Sequence, residues 1–189
     1  MTQKASWQFE LDQTQNWAYI NALFTPAECA KIVEIGNAKL RPATVVGPND
    51  GIRSCQVAWL YAEDLRFAFE RVTGAVLDMN SKFFKFDLFG LAEGFQFTRY
   101  DAPGDHYGMH IDKVLHHEVR KLSLTIQLSS PEDYEGGELV LQVSPYPDIM
   151  DKELGKMIAF PSYVLHEVRP VTKGTRYSLV AWVTGKPFK

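Results

Sequence analysis

The chain has 189 residues, enough for one domain with a sizeable core, and its 46% hydrophobic and 23% charged content is ordinary for a globular protein. A formal net charge of -3 gives no electrostatic reason to expect nucleic acid or an anionic membrane as partner. No apolar run is long enough for a transmembrane helix, the first residues lack the apolar core of a secretory signal, and two cysteines, Cys29 and Cys55, make neither a disulfide framework nor a zinc pattern. A cytoplasmic location with reduced thiols is therefore expected.

Residues 1 to 24 read as an edge strand and its approaches. Thr25-Pro26-Ala27-Glu28 is a helix start: Thr25 can cap, Pro26 suits the first helical position and Glu28 completes a capping box. Cys29, Ile32, Val33 and Leu40 continue at helical spacing, which predicts a helix over 26–40 that Pro42 ends. Two short strands are expected over 41–60, around the turn cluster Gly47-Pro48-Asn49-Asp50-Gly51. A second helix starts at Glu63-Asp64, with Leu65, Phe69, Val72, Val76 and Met79 as its apolar stripe.

From Ser81 the period changes from helical to alternating. Strands are predicted with Phe84, Phe86 and Leu88 on one face, then over 94–100, 122–129, 138–143, 155–160, 166–170 and 175–184, with loops over 101–108, 131–137 and 145–153. Many short strands after a pair of helices indicate a mainly β fold with helical cover, a β-sandwich or jelly roll. No internal repeat, low-complexity tract or linker interrupts it.

Strand parity locates a polar interior. Leu122, Leu124, Ile126 and Leu128 alternate with Ser123, Thr125 and Gln127; Leu179, Ala181 and Val183 alternate with Arg176, Ser178, Val180 and Trp182. If the apolar faces pack on the helices, the polar faces turn into the barrel and enclose a ligand cavity. Arg176 on that lining then needs a buried anion, because an unpaired buried guanidinium is very costly. A dicarboxylate would meet the need.

His110-Ile111-Asp112 offers an imidazole and a carboxylate two residues apart, on one side of a strand. A lone His-x-Asp is weak, but His166 downstream can complete the two-histidine, one-carboxylate facial set of non-haem Fe(II) sites that activate O2. On antiparallel strands facing one cavity, Arg176 would lie deeper than the metal. A five-carbon diacid could chelate the metal at one end and meet the guanidinium at the other.

Several segments carry a resemblance in their order. They are Gln96-Phe97-Thr98-Arg99-Tyr100, Gly104-Asp105-His106-Tyr107-Gly108-Met109-His110-Ile111-Asp112, and Tyr134-Glu135-Gly136-Gly137-Glu138-Leu139. Further on come Gly155 to Pro161, His166 to Val171, Gly174-Thr175-Arg176-Tyr177-Ser178 and Trp182. Over about residues 94 to 185 the chain resembles the prolyl hydroxylase family of Fe(II)/2-oxoglutarate-dependent oxygenases, PKHD-type members included. The resemblance implies one double-stranded β-helix (jelly-roll) domain over 1–189, in which 1–93 supports a catalytic core at 94–185 and the N-terminal helices pack on the major sheet.

It also implies roles. His110, Asp112 and His166 would bind iron, and Arg176 the distal carboxylate of 2-oxoglutarate. Tyr100 would hydrogen-bond near the chelating end. Where animal relatives carry a second tyrosine for the distal carboxylate, this sequence has Gln127, so that contact is altered or moved to Thr125. Tyr107, Trp182 and Arg53 would sit near the pocket and substrate, and the loop Gly47 to Arg53 would close over it. His106, His116 and His117 have no family role and read as solvated loop residues.

The reaction implied is hydroxylation of an unactivated C–H bond, with O2 consumed, 2-oxoglutarate converted to succinate and CO2, and ascorbate as a possible accessory reductant. A prolyl residue of a protein or peptide is the first substrate reading. Hydroxylation of a free amino acid or other small molecule, and a carboxylate-binding barrel without turnover, stay open as alternatives.

Overall fold

The computed structural model describes residues 16–44, 51–112 and 119–187. Helix α1 (Pro26–Asn37) begins where expected: the Thr25 hydroxyl accepts from the Glu28 amide, and the Glu28 carboxylate accepts from the Thr25 amide at 2.9 Å. It stops short of residue 40, as Ala38 caps it and Arg41–Pro42 (β2) is already extended. Helix α2 (Ala62–Met79) buries Leu65, Ala68, Val72, Val76 and Met79. Arg71 of α2 grips Glu28 with two hydrogen bonds, at 2.6 and 2.8 Å, and so ties the start of α1 to α2.

The strands form two antiparallel sheets. The larger runs β1 (Ala18–Ile20), β12 (Met157–Pro161), β8 (Arg120–Gln127), β14 (Val171–Gly185), β6 (Phe95–Asp101), β4 (Gln56–Leu60) and β2, with β5 (Leu88–Leu91) and β9 (Tyr134–Gly136) also on β14. The smaller runs β11 (Asp148–Ile149), β10 (Leu139–Gln142), β13 (Leu165–Val168), β7 (His106–His110) and β3 (Arg53–Ser54). The two sheets face each other as a double-stranded β-helix, the fold expected.

Parity decides what lies on each side. Phe95, Phe97, Leu122, Leu124, Ile126, Leu179, Ala181 and Val183 form one buried cluster with Cys29, Ile32, Leu65, Val72 and Met79 of the helices. The close fit of α1 depends on Gly36, where a Cβ would fall 2.4 Å from the Phe97 ring. Gln96, Thr98, Ser123, Thr125, Gln127, Arg176 and Ser178 are also buried, yet belong to the opposite face. The major sheet is therefore covered by helices outside and polar inside. Among the described residues no helix is long and apolar enough to cross a membrane.

Three local expectations need correction. Phe84 and Phe86 are not in a strand: Asn80–Phe84 continues α2 as a π-helical turn, and Lys85 turns out of it at φ 54. The Asn80 amide enforces this, donating to the Phe86 carbonyl and accepting from its N–H, both at 2.9 Å. The 101–108 loop is shorter than predicted, because β7 starts at His106. That histidine is not free in solvent: its ring nitrogens lie 2.8 and 2.9 Å from the carbonyl oxygens of Gly104 and Gly51. A strand, β9, also interrupts the loop predicted over 131–137. His116, His117 and most of the loop read as a cover lie outside the described residues.

Glu28 links cap and helix pairing, and its carboxyl is held down at about 2, first by Arg71 and then by the Thr25 amide. A depressed carboxyl stabilises the fold above its unfolded value, near ~4.3, and loses that contribution as pH falls through the folded value. Glu28→Ala should lower unfolding stability in urea by about 1–2 kcal/mol at pH 7. The difference from wild type should shrink between about pH 4 and 2; a difference independent of pH would deny the carboxylate its role.

Candidate metal centre

The two imidazoles come from neighbouring strands and the carboxylate from the segment just past one of them. His110 ends β7 and His166 lies on β13, its direct antiparallel partner, so the two rings are brought to a centroid separation of 4.1 Å. Asp112 lies two residues past the end of β7, where its amide donates to the Ser162 carbonyl at 3.0 Å. The same-face geometry of His-x-Asp therefore survives, although the regular strand stops at His110. Candidate ligand atoms from the three side chains all lie within 4.8 Å of one another.

Hydrogen bonds orient each ring. His110 Nδ1 lies 2.8 Å from the Gly108 carbonyl and His166 Nδ1 2.9 Å from the Val164 carbonyl, each two residues earlier. A carbonyl only accepts, so each Nδ1 carries the proton and each Nε2 presents a lone pair. Those Nε2 atoms face the carboxylate, His110 at 3.7 Å from Oδ1 and His166 at 3.4 Å from Oδ2. Asp112 Oδ2 accepts from the Ser123 hydroxyl at 2.7 Å, and Ser123 in turn meets Ser162 at 3.0 Å. The Tyr107 ring stacks on His110 at 3.6 Å, and Phe160 meets His166 edge-on.

Burial and neighbouring charge set the protonation. Burial, and then the adjacent His166, push His110 down to about 4, so its Nε2 is free at neutral pH. Burial opposes ionisation of Asp112, but the two imidazoles and the Ser123 hydroxyl outweigh it and hold the carboxyl below its usual range. The Trp182 indole N–H acts in the same direction without forming a hydrogen bond to it. A carboxylate beside imidazole lone pairs in a partly closed site is a donor set that suits Fe(II), with coordination positions left for other ligands.

One cavity gathers nearly all the residues expected at the site: Arg53, Tyr100, Tyr107, His110, Asp112, Thr125, His166 and Trp182 line it together with Gln96 and Ser123. The Arg53 guanidinium lies 4.4 Å from the centre of the Tyr107 ring and donates to Gln96 at 2.8 Å. Trp182 is sandwiched by Arg120 at 3.9 Å and Trp59 at 6.0 Å. Arg176 and Gln127 are not on that lining but behind it, both 0% exposed. Arg176 sits opposite Tyr100 in the β14–β6 register, its guanidinium 5.4 Å from the Tyr100 ring centre.

The chemistry of the buried polar atoms fits an anionic ligand. Nε and Nη2 of Arg176, both amide atoms of Gln127, the hydroxyls of Thr98 and Tyr134, and the Trp182 indole N–H are buried without a hydrogen-bond partner. Arg176 Nη1 has only the Ser178 hydroxyl, at 3.4 Å. Native interiors rarely leave such groups unsatisfied, and an unpaired guanidinium is the costliest among them.

Known proteins place this arrangement. The sequence model described as "2OG-Fe(II) oxygenase superfamily" matches residues 95–184. Over these residues the chain is similar to 2OG-Fe(II) oxygenase domains. A PKHD-type hydroxylase of Picosynechococcus sp. is 46% identical over 88 residues, 46% of this chain and 40% of that protein. One from Prochlorococcus marinus is 42% identical over 99 residues, 52% of this chain and 44% of the relative. The chain thus matches less than half the length of these curated relatives. Among solved structures, a Trichoplax adhaerens prolyl hydroxylase in complex with a hypoxia inducible factor peptide fragment aligns with TM-score 0.76 at 19% identity, covering 91% of this chain and 84% of that one. A Pseudomonas putida prolyl-4-hydroxylase aligns with TM-score 0.72 at 23% identity, covering 92% and 95%. At those identities the structures establish the fold.

Sequence reading missed Ser123 as a site residue. Ser123 stands on the polar parity of β8, which was the available signal; its bond to Asp112 becomes visible only when Asp112 leaves β7. Ser123→Ala should weaken Mn(II) binding by about 10-fold or more without changing the unliganded melting temperature, as loss of a group that orients a ligand does. Unchanged Mn(II) affinity by calorimetry would show that Asp112 is oriented without it.

Proposed function

We propose that this protein is an Fe(II)- and 2-oxoglutarate-dependent dioxygenase that hydroxylates a prolyl residue of a protein or peptide. The observation that carries the reading is the pairing of two features in one barrel. A two-histidine, one-carboxylate triad lines the cavity, and a fully buried guanidinium with unpartnered donors stands behind it. A metal-chelating diacid satisfies both at once.

In this reading His110, Asp112 and His166 hold Fe(II), with Ser123 steadying Asp112. Arg176 pairs with the distal carboxylate of 2-oxoglutarate, and Gln127 or Thr125 contributes beside it. Tyr100 serves the chelating end. When bound, iron and 2-oxoglutarate supply the oxidant: one oxygen atom of O2 enters succinate, which forms with CO2, and the other becomes the substrate hydroxyl. The residues of the chain bind and orient. Trp182, Tyr107 and Arg53 border the cavity and shape where a substrate side chain enters. The region 94–185 is the catalytic core of a single domain, and the two helices of 1–93 hold its major sheet in place.

A peptide is favoured as substrate by the resemblance to prolyl hydroxylases, one of which has been solved with a peptide fragment. Exposed apolar groups lie beside residues near the cavity, Trp59 against Trp182 and Ile52 against Gly108, and suit a peptide chain laid across them. The two buried, unpaired cysteines agree with a cytoplasmic setting.

Succinate release should be stimulated by proline-containing peptides and not by free proline. Stimulation by free amino acids alone would assign a small-molecule substrate, and no succinate with either would leave a binding barrel. Arg176→Ala should raise the 2-oxoglutarate concentration needed by about 100-fold, as expected when one partner of a buried charge pair is removed. Its Mn(II) affinity should change less than threefold; equal losses of both would make Arg176 a structural residue.

A further inference from the structure

The resemblance left the second contact to the distal carboxylate unresolved between Gln127 and Thr125. The structure offers a third donor that no part of that reading used. Tyr134 is 3% exposed, and its hydroxyl is buried without a hydrogen-bond partner. Its ring belongs to the apolar cluster inside the barrel, with Tyr100, Leu139 and Phe160, and not to the cluster under the helices. A tyrosine used only to fill space would be expected to find a partner for its hydroxyl or to be phenylalanine.

Its position ties it to Arg176. Tyr134 opens β9, which pairs with β14 next to the arginine: Tyr134 stands opposite Gly174. The two side chains meet across Gly137. A Cβ at Gly137 would lie 3.3 Å from Tyr134 Cε2 and 3.0 Å from Arg176 Cδ, so the ring edge bearing the hydroxyl and the arginine stem flank the same small space. Gly137 keeps that space open and also sits at φ +64, where a side chain is strained. On the outer side the Lys152 ammonium lies 4.8 Å from the ring centre, held by Glu138 at 2.9 Å. Gln127 approaches from β8, opposite Ser178, the residue that Arg176 Nη1 contacts.

A count of donors points to a single guest. Arg176 has Nε and Nη2 to give, Tyr134 one O–H, and Gln127 an amide NH2. A carboxylate has two oxygens and about four acceptor positions, and so can satisfy all three side chains; a lone water, with two acceptor positions, leaves donors unmet. We infer that Tyr134 is a cosubstrate-binding residue whose hydroxyl donates to the distal carboxylate of the diacid, beside Arg176. The inference rests on the proposed function and adds to it a specificity role. Tyr134 recognises the far end of the cosubstrate and leaves the metal-chelating end untouched.

Calorimetry on the full chain loaded with Mn(II) tests this with two ligands. 2-Oxoglutarate carries both ends, and 2-oxobutanoate carries the chelating end alone. Tyr134→Phe keeps the ring and removes one oxygen. It should raise the Kd for 2-oxoglutarate about 10- to 100-fold, the scale of a hydrogen bond to a charged group. The Kd for 2-oxobutanoate should stay within about twofold, as should the Kd for Mn(II), since nothing at the chelating end has changed. An unchanged Kd for 2-oxoglutarate would overturn the inference and leave the proposed function standing. Equal weakening of both acids, or a fall in the unliganded melting temperature that accompanies it, would make Tyr134 a packing residue and also overturn it. A wild-type protein that binds Mn(II) but not 2-oxoglutarate would overturn the proposed function itself.

Discussion

The structure depends on one constraint: the major sheet must bury both faces in different ways. Its outer face is closed by α1 and α2 through an apolar cluster that runs from Cys29 and Ile32 to Leu124 and Leu179. Burying a Leu, Ile or Phe side chain contributes roughly 1.5–3 kcal/mol, so this layer supplies the driving force for the fold. Because the helices satisfy the apolar face, the polar residues of β6, β8 and β14 can point into the barrel. The stabilising layer and the functional layer are thus opposite sides of the same strands. A one-residue slip of β14 would exchange Arg176 for Tyr177 and destroy both together.

The triad is arranged by contacts within the protein itself. His110 and His166 lie across from each other on neighbouring strands, and each is oriented by the carbonyl two residues before it. Asp112 is held by Ser123, which projects from β8 of the other sheet. The geometry of the triad therefore depends on contacts between the two sheets as well as on the motif. Deeper in the barrel the same strands leave donors without acceptors. That cost is tolerable where a guest completes the bonding, and it suits a guest that is a negatively charged hydrogen-bond acceptor.

Much of this was legible from the sequence, for physical reasons. Period-2 alternation along 122–128 and 176–183 is a strong signal because each residue on a strand has a single face to occupy. The Thr25-to-Glu28 box marked its helix start to the residue. Phe84 and Phe86 misled because alternation over so few positions is also met by a helix end and the turn after it, and the deciding group was Asn80, a polar side chain folding back on the main chain. Asp112 kept its expected place beside His110 without being in a strand, which parity alone cannot distinguish. Tyr134 received no role because its segment, rich in glycine and acidic residues, reads as a turn; only the pairing of β9 with β14 brings it close to the Arg176 stem, across Gly137.

The central claim is that the triad and the buried arginine hold the two ends of one diacid. Anaerobic titration of the Fe(II)-loaded protein with 2-oxoglutarate tests it most directly, because the chelated complex has a weak visible charge-transfer band. The band should appear with the wild type and be lost in His110→Ala. No band in a protein that nonetheless binds Fe(II) and 2-oxoglutarate would contradict the account, since the diacid would then be held away from the metal.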